Sequence, residues 1–296
     1  MPDEAYADSP ETEPAGAAAP WAGLVLVSTP IGNLGDIPPR ARQALAASDL
    51  ILCEDTRHTA RLLSAIGVSV RTEPLHEHNE DARIQPILAM LRGGRRIALV
   101  SDAGTPLVSD PGYRLVRAVV AEGLPVTAIP GPNAAVMALV LSGLPPQPFL
   151  FLGFPPPRSA ARRTAFGTLR SAERAGLSAT LIWHEAPHRL AETLVDMEAA
   201  FGPRAAAVAR ELTKHFEEVR RGTLTELAAH YATHAPRGEI TVLVGPPEEE
   251  DQEDLDGALT RALETHSVKD AAALVSAATG LPRKLVYARA LELGRG

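Results

Sequence analysis

The chain has 296 residues, 45% of them hydrophobic, and a formal net charge of −7. This length allows two ordinary domains, and this composition excludes a chain that is disordered throughout. The single cysteine, Cys53, excludes a disulfide framework and a cysteine-based zinc site. The longest apolar run, residues 134–141, is far shorter than the roughly 20 residues that span a bilayer. No basic region precedes the first apolar stretch, so we expect a cytoplasmic protein with no membrane partner and no secretory signal.

The acidic residues are concentrated in two segments. Residues 1–20 hold five acids and no base, and residues 248–256 hold seven acids and no base. Setting both segments aside changes the net charge from −7 to +5, so the body of the protein is suited to an anionic partner. Only three of the 29 basic residues are lysines. Arginine suits phosphate contacts, although a biased genomic base composition also explains this preference.

Short apolar runs alternate with helical patterns in the first half of the chain. The predicted strands cover residues 24–28, 49–53, 70–75, 96–101 and 125–129. The predicted helices cover residues 38–48, 59–66, 79–91, 113–122 and 133–141, with Asn79 as a cap. This alternation predicts an N-terminal α/β domain over residues 21–143, with a mostly parallel sheet covered by helices on both faces. Residues 1–20, which lack periodicity, are predicted to be a disordered tail.

A Gly- and Pro-rich break at residues 143–148 predicts a domain boundary, and a second α/β domain follows over residues 148–247. Its predicted strands cover residues 149–154, 179–183, 205–210, 216–222 and 239–245. Its predicted helices cover residues 158–174, 188–201 and 224–234. The acidic residues 248–257 are predicted to be a linker. Residues 258–296 are predicted to be a small helical unit, with two helices spaced as in a helix-turn-helix.

One local match to a zinc-protease motif, H-E-x-x-H at residues 184–188, fails on physical grounds. The motif needs its two histidines one helical turn apart, and Pro187 between them costs roughly 3 kcal/mol inside a helix. We therefore expect His184 to end a strand and Pro187 to open the next helix, without a metal. Another pair, His76 and His78, lies in a predicted loop without an evident third ligand, and we expect it to be a surface or substrate contact.

Four loops rich in small residues follow predicted strands in the first domain. They cover residues 29–36, 53–59, 101–112 and 130–134. Ligands bind beyond the carboxyl ends of strands in open parallel sheets, so these loops are predicted to form one wall of a crevice. The alternative is that their glycines and prolines merely turn the chain. The sequence lacks the dinucleotide pattern G-x-G-x-x-G after a strand, the P-loop and the G-x-S-x-G elbow.

The segments TPIGNLGD (29–36), EDTRHT (54–59), LHEHNE (75–80), SDAGTPLVSDPG (101–112) and PGPNA (130–134) follow one another in a recognisable order and spacing. Together they closely resemble the tetrapyrrole methylase superfamily, and within it the RNA-modifying branch of 16S rRNA (cytidine 2′-O)-methyltransferases. The match continues through GFPPP (153–157), HEAPHR (184–189), RELTK (210–214) and RGE (237–239). It covers about residues 22–245.

This resemblance implies a two-domain, tetrapyrrole-methylase-like α/β fold, that of the class III S-adenosylmethionine (SAM) methyltransferases, here with a small C-terminal helical unit. It also implies SAM in the cleft between the domains and a homodimer. Porphyrin-methylating relatives carry G-x-G-P-G-D and G-G-D-P where this chain has TPIGNLGD and DAGTP. That departure favours 16S rRNA, or the small ribosomal subunit, as the partner. A second departure concerns the pattern Y-E-S-x-H-R of the RNA branch, whose start is replaced here by residues 183–186. It makes a cofactor contact near Glu185 a weaker implication of the resemblance.

The function implied is SAM-dependent 2′-O-methylation of a cytidine in the decoding region of 16S rRNA. Two alternatives stay open. One is a tetrapyrrole C-methyltransferase of the same fold. The other is a nucleic-acid-binding module without enzymatic activity that uses its terminal helix-turn-helix.

The resemblance also implies site residues. The cofactor-binding residues would be Pro30, Asp102, Ala103, Gly104, Thr105, Val108, Asn133, Ala134, Glu185 and Thr213. A ribose hydroxyl is a poor nucleophile that a nearby base or cation would assist, and the polar candidates are Glu54, Asp55, Arg57, Glu211 and Lys214. Each of these is equally well explained by salt bridges that hold the loops. The RNA-binding candidates are Arg158, Arg162, Arg163, Lys269, Arg283 and Lys284, for which an ordinary solvated face is the alternative.

Overall fold

The computed structural model describes residues 21–247, 250–279 and 281–294. The predicted disordered tail, residues 1–20, lies outside the described residues, and so do the first two residues of the predicted linker. The chain divides into two compact units between Asn133 and Ala134. Each unit contains one five-stranded sheet. None of the described helices is long and apolar enough to cross a membrane.

The first unit contains a parallel sheet with the strand order β3-β2-β4-β1-β5. Its strands are β1 (Leu24–Val27), β2 (Leu50–Cys53), β3 (Thr72–Pro74), β4 (Ile97–Val100) and β5 (Val126–Ile129). Its helices are α1 (Pro39–Ala47), α2 (Thr56–Ala65), α3 (Glu80–Arg92) and α4 (Tyr113–Ala121), with a short 3-10 helix at Leu34–Asp36.

Successive residues of these strands point to opposite faces, and both faces are buried. Ile51 packs with α1 and α2, whereas its neighbours Leu50 and Leu52 pack with α3 and α4. The predicted parallel sheet with helices on both faces is therefore confirmed. In such a sheet the loops that follow the strands all emerge at one edge, the carboxyl edge.

The second unit contains a mixed sheet with the order β6-β7-β10-β8-β9, in which β6 and β7 run parallel and the other neighbours antiparallel. Its strands are β6 (Phe149–Phe151), β7 (Thr180–Glu185), β8 (Ala205–Arg210), β9 (Glu218–Thr223) and β10 (Ile240–Val244). Its helices are α5 (Ala134–Ser142), α6 (Ser159–Arg174), α7 (Leu190–Phe201) and α8 (Leu224–Thr233), followed by α9 (Glu250–Leu263), α10 (Val268–Thr279) and α11 (Arg283–Leu293). The last three helices share a small core around Leu259, Ala271 and Val286.

Two features of the predicted domain organisation differ from the structure. Helix α5 packs against β8 and β10, so it belongs with the second sheet, and the break at residues 143–148 falls inside the second unit. The acidic segment predicted as a linker is helical from Glu250 onward, within α9. Carboxylates stabilise the first turn of a helix through its dipole, which explains why an acidic run can begin one.

Two element boundaries and one predicted helix cap also differ from the predictions. Helix α2 begins at Thr56 rather than residue 59, because the Asp55 carboxylate accepts a hydrogen bond from the Arg57 N–H (2.8 Å) and caps the helix. Asn79 precedes α3 but does not cap it. Its amide instead accepts from the His76 N–H (2.9 Å) and donates to the Pro74 carbonyl (3.1 Å). Strand β6 ends at Phe151, three residues earlier than predicted.

Candidate functional site

The loops after β1 and β4 are joined backbone to backbone at the carboxyl edge of the first sheet. The Thr29 N–H donates to the Gly104 carbonyl (2.8 Å), and the Gly104 N–H donates to the Thr29 carbonyl (3.1 Å). Gly104 has φ +84°, and a Cβ there would lie 3.3 Å from Ile31 Cγ2 and 3.7 Å from the Pro132 carbonyl oxygen. A left-handed conformation in this crowded position favours glycine.

Thr105 joins the loop after β5 to the same edge. Its hydroxyl donates to the Pro132 carbonyl (3.1 Å) and accepts from the Asn133 amide (3.4 Å) and the Ser28 hydroxyl (3.4 Å). A Cβ on Gly131 would lie 2.8 Å from the Ser28 Cβ, so these loops approach each other closely. The structure therefore brings together the cofactor-binding residues predicted in the first unit: Pro30, Asp102, Ala103, Gly104, Thr105, Val108 and Asn133.

The loop after β4 also contains backbone strain. Leu107 (φ +72°) and Ser109 (φ +69°) are non-glycine residues in the left-handed region. Such residues cost of order 1–3 kcal/mol each and are concentrated at ligand-binding sites. With its backbone amides, carbonyls and hydroxyls, this edge fits SAM, whose methionine end needs such partners and whose sulfonium and ammonium charges favour nearby carboxylates.

Carboxylates supply a negative field beside these loops. Burial raises the pKa of Glu54, and the charges of Asp102 and Glu77 raise it further. Burial, together with Glu54 and Asp102, raises the pKa of Asp110 to about 6. The Asp55 N–H donates to the Asp102 carboxylate (3.2 Å), which ties the loop after β2 to the loop after β4. This edge of the sheet therefore holds acids whose charges repel one another.

Asp55 and Arg57, both predicted as catalytic candidates, pair with each other. Their exposed side chains approach to 3.1 Å, and the hydrogen bonds from Arg57 lower the pKa of Asp55 to about 2. Asp55 is thus a helix cap and an ion-pair partner, and a carboxylate of such low basicity is a poor proton acceptor. The salt-bridge interpretation fits this pair better than the catalytic one.

Glu211 and Lys214, the catalytic candidates of the second unit, form an ion pair as well. Lys214 Nζ lies 2.8 Å from Glu211 Oε1, and the same oxygen accepts from the Glu239 N–H (3.0 Å). The hydrogen bond from Lys214 lowers the pKa of Glu211. The partners Glu211 and Glu239 raise the pKa of Lys214 against the opposing effect of burial, so the ammonium stays charged.

Thr213, predicted to contact the cofactor, has an unusual environment. Both Glu211 (φ +51°) and Thr213 (φ +65°) lie in the left-handed region. The Thr213 hydroxyl is buried, and within the described part of the chain it has no hydrogen-bond partner. A buried hydroxyl without a partner is costly, which marks Thr213 as a candidate for a ligand contact.

Glu185 does not fit its predicted role as a cofactor contact. The side chain is buried, and its carboxylate accepts hydrogen bonds from the Ala186 N–H (2.7 Å), Arg189 (3.2 Å) and the Thr193 hydroxyl (2.5 Å). These bonds hold the turn between β7 and α7. Because these donors from its own unit already occupy the carboxylate, we do not expect the side chain to contact the cofactor.

His184 lies on β7, as expected, and not on a helix. Its ring packs between Phe151 and Phe154, and its Nδ1 lies 3.2 Å from the Thr241 hydroxyl. Burial lowers its pKa and keeps the ring neutral. The H-E-x-x-H pattern therefore does not form the pair of histidines on one helix that zinc proteases require.

Arg162, predicted to bind RNA, is completely buried, and this prediction is wrong. Its Nε lies 2.8 Å and its guanidinium NH2 2.6 Å from the buried Asp196 carboxylate on α7. Arg163 lies 2.6 Å from the same carboxylate but keeps 62% of its side chain exposed. Arg158, at the start of α6, is exposed. A phosphate cannot reach Arg162, because that position of α6 faces α7.

The basic candidates in the terminal helices are exposed. Lys269 lies in the first turn of α10, and Arg283 and Lys284 begin α11. Arg289, further along α11, instead pairs with Asp256 (2.6 Å) and Glu292 (2.6 Å). The three exposed cations predicted to bind RNA in this helical unit therefore lie at the start of α10 and of α11.

Sequence reasoning did not assign a role to Asp110. It lines a cavity of about 470 Å³ in the first unit, together with Glu77, His78, Gly112 and Tyr113. A signal was present, because Asp110 belongs to the second Ser-Asp pair of the loop SDAGTPLVSDPG and lies three residues before the start of α4.

Comparison with known proteins identifies the family. Residues 23–228 match the model of the Tetrapyrrole (Corrin/Porphyrin) Methylases, and residues 249–294 match that of the RsmI C-terminal HTH domain. The chain is 48% identical over 274 residues to the "Ribosomal RNA small subunit methyltransferase I" of Mesorhizobium japonicum, covering 91% of this chain and 92% of that protein. It is 42% identical over 275 residues to the protein of the same name from Escherichia coli O157:H7, covering 91% of this chain and 94% of that protein.

Solved structures share the fold at lower identity. The methyltransferase CobJ has a TM-score of 0.56 at 20% identity, covering 76% of this chain and 95% of its own. The uroporphyrin-III-C-methyltransferase of Thermus thermophilus has a TM-score of 0.51 at 22% identity, covering 75% of this chain and 93% of its own. These likenesses, together with the two matching family models, confirm the predicted fold class. The chain belongs to the tetrapyrrole methylase family, in the branch of the ribosomal RNA small subunit methyltransferase I proteins.

Proposed function

We propose that this protein transfers a methyl group from SAM to the 2′-hydroxyl of a cytidine in the decoding region of 16S rRNA. The observation that carries the proposal is the 48% identity, over nearly the whole of both chains, to a protein named ribosomal RNA small subunit methyltransferase I. The interlocked loops after β1, β4 and β5 support it, since they offer a surface that fits the cofactor. The tetrapyrrole alternative has weaker support, because it comes from structures under 25% identical that establish only the fold.

In this proposal, SAM is held in the first unit by Pro30, residues 102–105, Val108 and Asn133. The predicted cofactor contacts of the second unit are Ala134 and Thr213, whose buried hydroxyl has no hydrogen-bond partner among the described residues. When bound, SAM supplies an electrophilic methyl group on a sulfonium, so the protein's main task is to orient the attacking oxygen. The strained backbone at Leu107 and Ser109 is held by the structure around it, as is common in loops that receive a ligand.

Glu54 is our candidate for the group that takes the proton from the ribose hydroxyl. A raised pKa makes its carboxylate a better proton acceptor than that of Asp55, whose pKa is lowered to about 2. Lys214 stays charged and is suited to stabilise the developing oxyanion or a phosphate. Replacing Glu54 with Gln should lower kcat while the Kd for SAM stays unchanged.

The RNA contacts in this proposal come from exposed cations in the second unit. They are Arg158 and Arg163 on α6 and Lys269, Arg283 and Lys284 in the terminal helices. We also propose that the enzyme acts in the cytoplasm as a homodimer. Sedimentation equilibrium of the full chain, with and without SAM, tests the dimer directly.

The central experiment measures methyl transfer in vitro. Purified protein and SAM with a labelled methyl group are incubated with naked 16S rRNA or with small subunits from a strain that lacks the enzyme, and the 2′-O-methyl position is mapped. We expect one modified cytidine in the decoding region. Label on a uroporphyrinogen and none on RNA would support the tetrapyrrole alternative. Absence of both SAM binding and transfer would support the binding-module alternative.

A further inference from the structure

A cavity of about 470 Å³ lies at the carboxyl edge of the first sheet, beside the proposed cofactor loops. It is lined by the loop after β3, through Glu77 and His78, and by the end of the loop after β4 and the start of α4, through Asp110, Gly112 and Tyr113. Its volume falls within the range of small-molecule pockets. Asp110 also interacts electrostatically with Glu54 and Asp102 of the cofactor edge, so the cavity adjoins that edge.

The charges that line the cavity disfavour a phosphate. Its carboxylates come from Glu77, Glu80 and Asp110. The cation at its wall, Arg114, lies 3.2 Å from Glu80 and 2.5 Å from Asp81, so its charge is already balanced. A surplus of carboxylates repels a phosphodiester and favours a cation or an uncharged group that carries N–H donors.

The rim of the cavity presents a flat aromatic ring. Tyr113, the first residue of α4, is 64% exposed. Gly112, beside it, has φ +118°, and a Cβ there would lie 2.6 Å from Leu99 Cδ2 and 2.8 Å from Leu107 Cδ2. Asp110 lies three residues before the tyrosine, with Pro111 and Gly112 between them. An exposed ring beside a cavity is the usual platform on which a protein stacks an unpaired nucleobase.

We propose that this cavity holds the base of the nucleotide that is methylated, with the base stacked on Tyr113 and its exocyclic amino group donating to the Asp110 carboxylate. This inference rests on the proposed function. Cytosine carries an amino group at the position where uracil carries a carbonyl oxygen. A carboxylate accepts from the amino group and repels the carbonyl, so Asp110 is a specificity-determining residue that favours cytidine over uridine.

The state of Asp110 agrees with this role at neutral pH. With a pKa raised to about 6, the carboxyl is mostly ionised at pH 7.5 and is available as an acceptor. Glu54, Asp102 and the Ser101 hydroxyl act on its pKa, and the charged or titratable side chains that line the same cavity are Glu77, His78, Glu80 and Arg114. Because Glu54 and Asp102 disfavour its charge, a hydrogen bond from an amino group relieves part of an unfavourable interaction.

The test compares substrates that carry C or U at the methylated position, in otherwise identical reconstituted small subunits. For the wild-type enzyme we expect kcat/KM to favour C by about tenfold or more, the size of one good base contact. In Asp110→Asn the amide can turn its NH2 toward the uracil oxygen, so the preference should fall to about threefold or less, with turnover on C retained. The matched control, Glu122→Gln at the opposite end of α4, should keep the full preference.

A second pair of variants tests the stacking platform. Tyr113→Ala should raise the KM for RNA about tenfold, since base stacking on one ring is worth roughly that much. Tyr113→Phe keeps the ring, so its KM for RNA should stay close to the wild-type value. The Kd for SAM, measured by calorimetry, should be the same in both variants. Because Tyr113 is exposed, the variants should fold, which circular dichroism verifies.

Four results would overturn the inference. Asp110→Asn with an unchanged preference for C would remove Asp110 as the specificity determinant. Weaker binding of SAM by Asp110→Asn or Tyr113→Ala would assign the cavity to the cofactor. Loss of turnover on both substrates by Asp110→Asn, with RNA binding intact, would make Asp110 a proton acceptor. Wild-type protein that binds SAM but methylates neither substrate would refute the proposed function itself, and this inference with it.

Discussion

The buried acids of the second unit and those at the carboxyl edge of the first sheet are arranged in opposite ways. In the second unit, buried acids are surrounded by donors: Asp196 by Arg162 and Ser159, and Glu173 by Arg204. At the carboxyl edge of the first sheet, Glu54, Asp102 and Asp110 lie near one another, and their mutual repulsion together with burial raises the pKa of Glu54 and Asp110. Charges that are satisfied internally hold a structure together, whereas charges left in conflict are typical of a site that awaits a ligand.

The largest effect should come from breaking the satisfied network of the second unit. Asp196→Ala removes the partner of the fully buried Arg162, whose Nε lies 2.8 Å from the carboxylate. An uncompensated buried charge costs about 3–5 kcal/mol, so the free energy of unfolding should fall by that amount. Urea titration followed by circular dichroism measures it.

Glu192→Ala is the matched control for this network. Glu192 also contacts Arg162, at 3.3 Å, but its side chain is 63% exposed. An exposed ion pair contributes about 0–1 kcal/mol, so this variant should be nearly as stable as the wild type. Similar losses in the two variants would contradict the view that the buried network stabilises the second unit.

The next effect should appear in the first unit as lost binding, in addition to the stability that a left-handed conformation costs. Gly104→Val places a branched side chain at φ +84°, where its Cβ would lie 3.3 Å from Ile31 and the rest of the side chain would enter the ligand surface. We expect the Kd for SAM to rise at least about a hundredfold, because backbone can approach a ligand closely only without a side chain there. Calorimetry measures the Kd.

Gly94→Val separates backbone strain from lost binding. Gly94 has a similar φ of +79°, but nothing lies within 4 Å of its Cβ position. Gly94→Val should lower the free energy of unfolding by about 1–2 kcal/mol, because valine disfavours the left-handed conformation, and it should leave the Kd for SAM unchanged. If Gly94→Val weakened SAM binding as much as Gly104→Val, the loop after β4 would have only a structural role.

The contrast also explains how far the sequence could predict this protein. Buried parallel strands are short apolar runs between turns, which is how β1, β2 and β4 were found, and the weaker runs at residues 70–75 and 125–129 located β3 and β5. The assignment of α5 failed because AAVMALVLS is apolar on every face, and such a helix gives no pattern to show which sheet it covers.

At the site, clusters of Gly, Pro and Asp in the sequence predicted the loops correctly. The sequence did not predict which side chains pair with each other. Arg162 looks like an exposed cation on an arginine-rich helix, and its partner Asp196 lies 34 positions further along the chain. Asp110 was overlooked for a similar reason, because Glu54, one of the two carboxylates that raise its pKa, lies in the loop after another strand. Pairing between distant positions follows from topology and leaves no local signal.

A smaller effect should appear in the pH dependence of stability. The folded state raises the pKa of Asp110 from 3.8 to about 6, so the stability that this group contributes is present below pH 4 and is lost as the pH rises through 6. Asp110→Asn should therefore match the wild type near pH 4 and exceed its free energy of unfolding by about 1 kcal/mol at pH 7.5, a figure reduced for solvent screening. Urea titrations at several pH values measure the difference, and a difference independent of pH would contradict the raised pKa.

The smallest effect should appear in RNA binding, where each exposed cation is expected to contact one phosphate. Arg283 and Lys284 are exposed at the start of α11, whereas Arg289 on the same helix is paired with Asp256 and Glu292. Arg283→Ala combined with Lys284→Ala should weaken RNA binding several-fold and reduce the slope of log K against log salt by roughly 1.4 to 1.8, the value for two phosphate contacts. Filter binding across a salt series measures this slope, and the Kd for SAM should not change.

Arg289→Ala is the control in the terminal helices, since its charge is already balanced, and it should leave the slope near the wild-type value. Arg158→Ala with Arg163→Ala asks the same question of α6, where Arg162 must stay in place because its loss would unfold the unit rather than report on RNA. If the slope falls only in the α6 variant, RNA binds to α6 and not to the terminal helices. A slope unchanged in both would mean that these arginines and Lys284 form an ordinary solvated surface, and that RNA is held elsewhere.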